Sequence, residues 1–493
     1  MSDDYVDVLI VGAGLSGIGF ACHLQRKCPD KSFAILESRD TMGGTWDLFR
    51  YPGIRSDSDM HTLGYAFKPW NAEKAIADGP AILDYIKETA AENGIDEHIR
   101  YGHKVVSASW SSEDASWTVK VQNAATGEII EIRCNFIHAC AGYYRYEHCY
   151  LPEFEGYDRF NGTIVDPQHW PEDLDYSGKK IIVIGSGATA MTIVPAISSK
   201  AASVVMLQRS PTYVISLPDK DVIANMLRKV LPEKTAYAIT RRKNVAFQQF
   251  FYWYSRKRPE ALKRRLIKWV GKALGPDYDV ETHFTPRYNP WDQRLCLVPN
   301  GDLFDAINSG KAAVVTDTVD TFTKHGIRLA SGEELEADII VTATGLDLVV
   351  MGDIDFDVDG DSVDFSETVL YKGVMCSGVP NLATTFGYVN ASWTLRADII
   401  ARFVCRLINH MDETGTRQCT PRLREDELGM PERPWIDGFS PGYLQRVLHR
   451  LPKQGTHDPW INPQNYRKDK RMYREADVED GVLTFGNAIS AGS

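Results

Sequence analysis

The sequence of 493 residues contains no apolar run long enough to cross a membrane and no cysteine pair in C-x-x-C spacing. A spanning helix needs about 20 consecutive apolar residues, and the acidic N-terminus leads directly into a glycine-rich turn, so we expect neither an anchor nor a signal peptide. The nine cysteines have none of the spacings of a zinc site or a redox dithiol. These absences predict a cytoplasmic protein with inert thiols and no metal site.

Acidic residues outnumber basic ones, with 66 Asp and Glu against 55 Lys and Arg. The formal net charge is -11, which argues against nucleic acid as a partner, because phosphate binding depends on a basic surface. Residues 226–275 are the exception, with fourteen Lys or Arg against two acids, interleaved with Phe, Tyr and Trp. Basic amphipathic helices bind anionic lipid, so a weak peripheral membrane contact through 226–275 is one interpretation. The interpretation that we favour is a solvated helical face with the aromatic residues in the core.

A glycine-rich turn follows the first apolar strand. In VDVLIVGAGLSG, Gly12, Gly14 and Gly17 have G-x-G-x-x-G spacing, and a helical stretch follows them. The backbone of such a turn can approach a pyrophosphate closely, and the N-terminus of the helix favours its charge. The next strand ends at Glu37, where this fingerprint has an acid for a ribose hydroxyl. The pattern predicts a dinucleotide site that suits FAD.

The pattern recurs in KKIIVIGSGATAM, where Gly185 and Gly187 keep the spacing and Ala190 replaces the third glycine. The strand after it ends in Arg209 and Ser210 instead of an acid. A guanidinium can bind a 2′-phosphate through two hydrogen bonds, whereas an acid repels it. The second site is therefore predicted to bind NADPH, and a solvated charge at the strand end is the alternative for Arg209.

Each half of the chain also carries strand patterns typical of a small antiparallel meander, VVSASW to EIIEIRC in the first half and TDTVDTFT to EELEADIIV in the second. The predicted fold class is α/β, with two dinucleotide-binding, Rossmann-like domains, each with a meander, and a helical insertion in the NADPH domain. The predicted segments are 1–145 (FAD-binding domain, first part), 146–212 (linker and NADPH-binding domain, first part), 213–285 (helical insertion), 286–345 (NADPH-binding domain, second part) and 346–493 (FAD-binding domain, second part, and C-terminal cap).

The connector between the two turns, FNGTIVDPQHWPED, resembles the fingerprint F-x-G-x-x-x-H-x-x-x-W-P of type I Baeyer–Villiger monooxygenases, which are class B flavoprotein monooxygenases. Phe160, Gly162, Trp170 and Pro171 match it. Flavin-containing monooxygenases carry a similar motif without the Trp-Pro ending. A second family signature, GGTWDLFRYPGIRSD, lies at 43–57, and the stretches WDQRLCLVPNGDLF and GYVNASWTLRAD are similar to the ethionamide-activating branch of the family.

This resemblance implies an FAD-dependent enzyme that consumes NADPH and O2. It would convert ketones to esters or lactones through a peroxide at C4a of the reduced flavin, and would also oxidise the sulfur of thioethers or thioamides. Asp57 and Arg294 would be the catalytic pair, since a permanently charged guanidinium stabilises both a peroxide and a tetrahedral oxyanion. The FAD-lining residues implied are Gly12, Gly14, Ser16, Gly17, Glu37, Thr45, Trp46, Asp47, Leu48 and Val105. The NADP-lining residues implied are Arg55, Ser56, Asp57, Gly185, Ser186, Gly187, Ala188, Thr189, Ala190, Met191, Arg209 and Ser210.

Other interpretations stay open at this point. From spacing alone, Arg294 could be a surface residue of its loop and Asp57 an acid of a turn or helix cap. The whole chain could be a flavin-containing N- or S-monooxygenase without ketone activity, or a flavin redox sensor that docks on membranes.

One position departs from the family fingerprint. Asp166 stands where the family has histidine, and a carboxylate only accepts hydrogen bonds, whereas imidazole also donates. The resemblance links that histidine to domain coupling and NADPH handling. We therefore expect slower flavin reduction or more release of hydrogen peroxide, and we expect Asp166→His to raise coupling. His169, three positions along, is not assumed to replace the missing histidine.

Overall fold

Two sheets, one in each half of the fold, form the framework of the computed structural model, which describes residues 4–475 and 477–488. Residue 476 and the outer ends of the first and last predicted segments lie outside the described residues.

The strands described are β1 (Tyr5–Val11), β2 (Phe33–Leu36), β3 (Ile99–Arg100), β4 (His103–Ser111), β5 (Ser116–Asn123), β6 (Ile129–Ala139), β7 (Thr163–Val165), β8 (Lys180–Ile184), β9 (Ser203–Gln208), β10 (Tyr213–Leu217), β11 (Leu295–Pro299), β12 (Ala312–Thr316), β13 (Val319–Phe322), β14 (Gly326–Leu329), β15 (Glu334–Glu336), β16 (Ile339–Val341), β17 (Asp355–Val358), β18 (Asp361–Ser362), β19 (Leu370–Tyr371), β20 (Met375–Cys376), β21 (Leu382–Thr384), β22 (Gln418–Pro421) and β23 (Leu483–Gly486). The α-helices described are α1 (Leu15–Lys27), α2 (Thr45–Leu48), α3 (Met60–Leu63), α4 (Gly79–Glu92), α5 (Ala188–Ser198), α6 (Val222–Val230), α7 (Glu233–Lys257), α8 (Pro259–Leu274), α9 (Val280–Phe284), α10 (Asp302–Asn308), α11 (Trp393–Thr414), α12 (Gly442–Val447) and α13 (Tyr466–Glu475).

The first sheet has a parallel part at β1, β2 and β3, and β1 also pairs in parallel with β6. Val8, Leu9, Ile10 and Val11 are all buried, because both faces of the sheet are covered. One face packs on α1 and α11, and the other packs on apolar residues of β4, β5 and β6. The continuous apolar run of the first strand is therefore explained by burial on two sides.

Strands β4, β5 and β6 form the first predicted meander, with antiparallel pairing throughout. β6 is one strand of eleven residues, whose first part pairs with β5 and whose second part pairs with β1. A single strand thus joins the meander to the parallel part of the sheet.

The second sheet is parallel, in the order β12-β9-β8-β16-β7. Helices α5 and α10 pack on it through an apolar cluster. Strands β13, β14 and β15 form the second predicted meander, as a separate antiparallel sheet. The predicted α/β class with two Rossmann-like halves is confirmed.

The segment that was predicted to be a helical insertion begins with a strand. β10 pairs in parallel with β11, and the helices α6 to α9 follow from Val222 onward. The expectation that the aromatic residues of this segment lie in the core is wrong for four of them: the exposed fractions are 54% for Phe247, 59% for Phe250, 57% for Trp253 and 46% for Trp269.

All nine cysteines are buried and unpaired. Across residues 4–475 and 477–488, no helix combines the length and apolarity needed to span a bilayer. The same part of the chain holds no group of three or more His, Cys, Asp or Glu side chains arranged for a metal ion. The cytoplasmic location stays a prediction.

Candidate active site

A cavity of about 1560 Å³ is lined by both glycine-rich turns. Small-molecule sites usually measure about 300–1,000 Å³, so this cavity has room for more than one large ligand. Strands β1 and β8 end at Val11 and Ile184, and the glycines directly after them face the cavity. The cavity therefore lies at the carboxyl ends of parallel strands, where open α/β sheets bind nucleotides.

The first turn brings its backbone up to the cavity wall. Gly12 has a φ of +100°, and a Cβ atom there would lie 2.7 Å from a backbone carbonyl oxygen of the loop after β6. Helix α1 begins after Gly14 without a side-chain cap, so its first N–H groups are available to a phosphate. Ser16 lines the cavity, and its Oγ accepts a hydrogen bond of 2.8 Å from Nε1 of Trp393.

Glu37 is fixed at the end of the neighbouring strand and faces the same cavity. One carboxylate oxygen accepts a hydrogen bond of 2.8 Å from the N–H of Ala13, and the other accepts one of 3.0 Å from the N–H of Arg39. Burial raises the pKa of Glu37, and these hydrogen bonds limit the rise. A carboxylate held in this way presents acceptor lone pairs to the hydroxyl groups of a ribose.

The second turn is built like the first. Gly185 has a φ of +137°, a Cβ atom there would lie 2.2 Å from a backbone carbonyl oxygen, and the space beside Gly187 is open. Helix α5 begins after Gly187 without a side-chain cap. Ser186 Oγ donates to the carbonyl oxygen of Ser210 at 3.0 Å, which joins this turn to the end of β9. Arg209 lines the cavity with an exposed side chain and forms no ion pair with a carboxylate in the described chain.

Arg294 and Asp57 meet at the cavity wall, with 3.8 Å between Nη1 and Oδ2. Their side chains are 40% and 30% exposed, but they face the cavity and not the outer surface. Burial raises the pKa of Asp57, and the guanidinium groups of Arg294 and Arg55 oppose this rise. Two residues that lie 237 positions apart in the numbering are thus brought into one charged pair.

Tyrosine side chains surround the guanidinium of Arg294. The pKa of Arg294 lies well above its ordinary value, because Tyr443 first, and then Tyr143, Tyr144 and Asp57, favour its charged form over the effect of burial. The hydroxyl groups of Tyr143 and Tyr144 lie 2.7 Å apart. The site therefore holds a permanent cation beside polar aromatic rings.

These aromatic residues were not predicted. Tyr143 stacks on Trp393 with 5.3 Å between ring centroids, and both line the cavity with Tyr443. The sequence signals for them were the tyrosine-rich stretch GYYRY at 142–146 and, for Trp393, the family-like stretch GYVNASWTLRAD at 387–398. Tyr443 had no such signal, because it comes from the C-terminal part of the chain.

Helix α7 braces the loops that carry both members of the charged pair. Asp59 caps α3, two residues after Asp57, and its carboxylate accepts hydrogen bonds from Asn244 at 2.8 Å and Gln248 at 3.1 Å. Asp292, two residues before Arg294, accepts a hydrogen bond of 2.7 Å from Arg256. The distance between Asp57 and Arg294 therefore depends on the position of α7.

Most of the predicted cofactor residues line this cavity. They are Gly12, Gly14, Ser16, Glu37, Thr45, Trp46, Val105, Arg55, Ser56, Asp57, Gly185, Ser186, Gly187, Ala188, Thr189, Arg209 and Ser210. Five of the predicted residues lie behind the wall: Gly17, Asp47, Leu48, Ala190 and Met191.

The five residues behind the wall have structural explanations. A Cβ atom at Gly17 would lie 1.9 Å from the carbonyl oxygen of Gly12, so this glycine lets α1 pack on the turn. Asp47 is buried and pairs with Arg39 at 2.5 Å. The other three pack into the apolar cluster that covers the second sheet. They support the cofactor loops instead of facing the cavity.

The fingerprint residues Phe160, Gly162, Asp166, Trp170 and Pro171 also lie outside the cavity wall. Phe160 packs in an apolar cluster with β8, β14 and β16. A Cβ atom at Gly162 would lie 2.3 Å from a backbone carbonyl oxygen. The connector therefore belongs to the framework of the second sheet.

Asp166 and His169 form a contact that the sequence did not predict. The Asp166 carboxylate accepts a hydrogen bond of 2.8 Å from the N–H of Gln168 and lies 3.0 Å from Nδ1 of His169. Nε2 of His169 lies 3.0 Å from the carbonyl oxygen of Tyr146, a residue that lines the cavity. Burial and then the Asp166 carboxylate raise the pKa of the Cys149 thiol to about 12.

Known proteins resemble this chain over most of its length. Residues 76–413 match the family model described as flavin-binding monooxygenase-like, and residues 10–72 match an NAD(P)-binding Rossmann-like domain. The FAD-containing monooxygenase EthA of Mycobacterium tuberculosis (strain ATCC 25618 / H37Rv) is 54% identical over 483 residues, which cover 98% of each chain.

Solved structures share the fold. A steroid monooxygenase bound to NADP superposes with a TM-score of 0.77 at 21% identity, over 98% of this chain and 100% of the other. An open structure of cyclohexanone monooxygenase superposes with a TM-score of 0.79 at 18% identity, with the same coverage.

Proposed function

Because the chain belongs to the flavin-binding monooxygenase-like family, we propose that it is a Baeyer–Villiger enzyme that converts apolar ketones to esters or lactones. At the family level it is an NADPH-dependent flavin monooxygenase with FAD as its cofactor. O2 supplies the inserted oxygen atom, NADPH supplies two electrons, and the second oxygen atom leaves as water. The Arg294–Asp57 pair in the wall of the nucleotide cavity is the observation that carries the proposal.

The residues in the wall fit two dinucleotides. The open backbone at Gly12 and Gly14 and the fixed carboxylate of Glu37 suit the pyrophosphate and ribose of FAD. The turn around Gly187 suits a second pyrophosphate, and Arg209 suits a 2′-phosphate. FAD bound there and reduced by NADPH would supply the electrons that activate O2.

Arg294 stabilises negative charge on oxygen. When a ketone carbonyl is attacked, charge develops on its oxygen atom, and a fixed cation lowers the energy of that state. The guanidinium stays charged, because its pKa lies well above the ordinary value. Asp57 lies 3.8 Å from the guanidinium and orients it. Helix α7 fixes the loops that carry Asp57 and Arg294 through hydrogen bonds to Asp59 and Asp292.

The apolar surroundings of Arg294 favour an apolar substrate. A second cavity of about 70 Å³ lies beside it, with a lining that includes Tyr143, Phe386, Trp393, Trp435, Phe439 and Tyr443. These apolar side chains favour contact with the carbon skeleton of a ketone that lies in the large cavity with its carbonyl group toward Arg294. Thioethers and thioamides suit the same lining, and we propose sulfur oxidation as a second reaction.

The experiment uses the purified holoenzyme with NADPH, O2, a set of linear and cyclic ketones and an aryl methyl sulfide. NADPH consumption, hydrogen peroxide, ester and sulfoxide are measured in the same reactions. Ester formation supports the proposal. Sulfoxide without ester would identify a flavin-containing N- or S-monooxygenase without ketone activity. Bound flavin with negligible NADPH consumption would instead favour a redox sensor.

A further inference from the structure

Large apolar side chains are exposed mainly on one part of the surface. Within the described residues, thirteen large hydrophobic residues are exposed, and nine of them lie between Val222 and Trp269. These nine are Val222, Ile223, Met226, Val230, Ile239, Phe247, Phe250, Trp253 and Trp269. Scattered exposed apolar residues are normal, but a cluster of this kind marks a contact surface.

Helix α7 is oriented with its polar face inward. At about 100° per residue, Arg241, Asn244 and Gln248 share one face, and all three donate hydrogen bonds to groups on or near α3. Phe250 and Trp253 lie on the opposite face and are 59% and 57% exposed. A surface helix normally turns its apolar stripe toward the core. The exposed aromatic side chains of α7 therefore indicate that its outer face binds an apolar partner.

Helix α6 adds a second apolar face beside it. Val222, Ile223, Met226 and Val230 follow helical spacing and are exposed by 71%, 50%, 58% and 71%. The cap of α6, Asp221, is held by Lys243 of α7 at 2.6 Å, so the two helices are joined. The two outer faces are taken together below as the α6–α7 surface.

The charge around this surface is strongly positive. Residues 226–275 contain fourteen Lys or Arg against two acids, in a chain whose net charge is -11. Within the described residues, only three of the fourteen form an ion pair with a carboxylate: Arg241, Arg256 and Lys243. Arg242 and Lys257 are exposed on the same side of α7 as Phe250. Nine of the other eleven are exposed, while Arg228 and Lys263 are half-buried.

The α6–α7 surface also borders the cavity. Val222, Ile223 and Phe247 are exposed to solvent and line the cavity at the same time. If an apolar phase covers this surface, an apolar compound dissolved in it therefore has a path into the cavity that does not cross water.

Basic charge around exposed aromatic and aliphatic side chains distinguishes among possible partners. Two copies of this surface would bring like charges together, which opposes a symmetric dimer. Anionic lipid headgroups complement the Lys and Arg side chains, and Trp and Phe insert at the level between headgroups and acyl chains. We propose that the α6–α7 surface docks the enzyme on a bilayer rich in anionic phospholipid and places the mouth of the cavity against the membrane.

The test is sedimentation of the holoenzyme with vesicles of phosphatidylcholine alone and of phosphatidylcholine mixed with phosphatidylglycerol. We expect binding to the mixed vesicles only, and weaker binding when NaCl is raised from about 0.1 M to about 0.5 M. Phe250→Ser with Trp253→Ser, and separately Arg242→Gln with Lys257→Gln, should each weaken binding about tenfold or more. The matched control is Ile129→Ser with Leu428→Ser, which removes exposed apolar residues elsewhere and should bind like the parent enzyme.

Folding and catalysis are checked in the same samples. All variants should keep their flavin absorbance and their NADPH consumption with a water-soluble ketone, so a failure of docking is distinct from a failure of the proposed reaction. The inference is overturned if the enzyme binds neither vesicle, binds both equally, or loses binding equally in the control. It is also overturned if light scattering shows a dimer that depends on Phe250 and Trp253 while these residues have no effect on vesicle binding.

Discussion

Removing the charge of Arg294 is the most direct test of the proposed chemistry. Arg294→Met keeps an unbranched side chain at the cavity wall but removes the guanidinium. Loss of one electrostatic contact to a developing oxyanion costs about 100-fold to 1,000-fold in rate in other enzymes, or about 2.7–4 kcal/mol. We expect ester formation to fall by a factor in that range.

The structure also gives a magnitude for the pair. With 3.8 Å between Nη1 and Oδ2, the attraction between Arg294 and Asp57 is about 4 kcal/mol at an effective dielectric constant of about 20. Screening reduces this value, because the side chains are 40% and 30% exposed. We expect a coupling of about 1–2 kcal/mol in a double-mutant cycle with Asp57→Asn, so the double variant should retain about 5-fold to 30-fold more activity than independent effects predict.

The assay measures ester, hydrogen peroxide and NADPH consumption in the same reaction. For Arg294→Met we expect less ester per NADPH and more peroxide. Arg287→Met is the control, because Arg287 is an exposed residue near the same loop and does not line the cavity. An unchanged ratio of ester to NADPH in Arg294→Met would refute the role of the cation.

Three further variants test the cofactor and charge assignments. Arg209→Ala should raise the KM for NADPH about tenfold or more and leave that for NADH unchanged in steady-state assays; an equal rise for both would exclude a 2′-phosphate contact. Glu37→Gln should weaken FAD binding about tenfold in a flavin-release titration, and full retention of flavin would contradict the ribose contact. Asp57→Asn should raise the Tm of the flavin-free protein at pH 7. Burial raises the folded-state pKa of Asp57, so the native state binds its proton more tightly than the unfolded state, and ionisation costs stability above that pKa. The gain in Tm should shrink as the pH falls through the raised folded-state pKa and should be absent below the unfolded pKa of about 3.9; a gain that does not depend on pH would show another cause.

Local sequence patterns predicted those parts of the site whose residues lie close to one another along the chain. The turns at Gly12 and Gly185 need backbone that approaches other backbone closely, and only glycine allows this, so the sequence signal is strong. Glu37 and Arg209 follow at the ends of the next strands, where the register of a Rossmann-like unit places them. The family motifs supplied Arg294 and Asp57, which no local pattern distinguishes from loop residues.

Longer-range features were not predictable in the same way. Tyr443 approaches Arg294 from a segment about 150 residues later in the chain, and no periodicity predicts that contact. Helical spacing shows that Phe250 and Trp253 share a face, but not whether that face points inward. The orientation of α7 is set by hydrogen bonds to polar groups on or next to α3. Arg241, Asn244 and Gln248 donate these bonds, so their face of the helix points inward.

The contacts of Asp166 support a second hypothesis beside the expectation that was based on the fingerprint. One carboxylate oxygen accepts the N–H of Gln168, while the other lies 3.0 Å from Nδ1 of His169. Nε2 of His169 lies 3.0 Å from the carbonyl oxygen of Tyr146. The contact between Asp166 and His169 therefore links the connector to a residue that lines the cavity.

Histidine at position 166 has no carboxylate, so it cannot accept the N–H of Gln168 with one oxygen and hold the His169 ring with the other. We therefore expect Asp166→His to lower the ratio of ester to NADPH consumed, and we expect His169→Ala to lower it similarly. Asp166→Glu is the matched control for charge, because it keeps the carboxylate and changes only its reach. If Asp166→His instead raises the ratio, the connector depends on an imidazole at position 166, and the Asp166–His169 contact has no part in coupling.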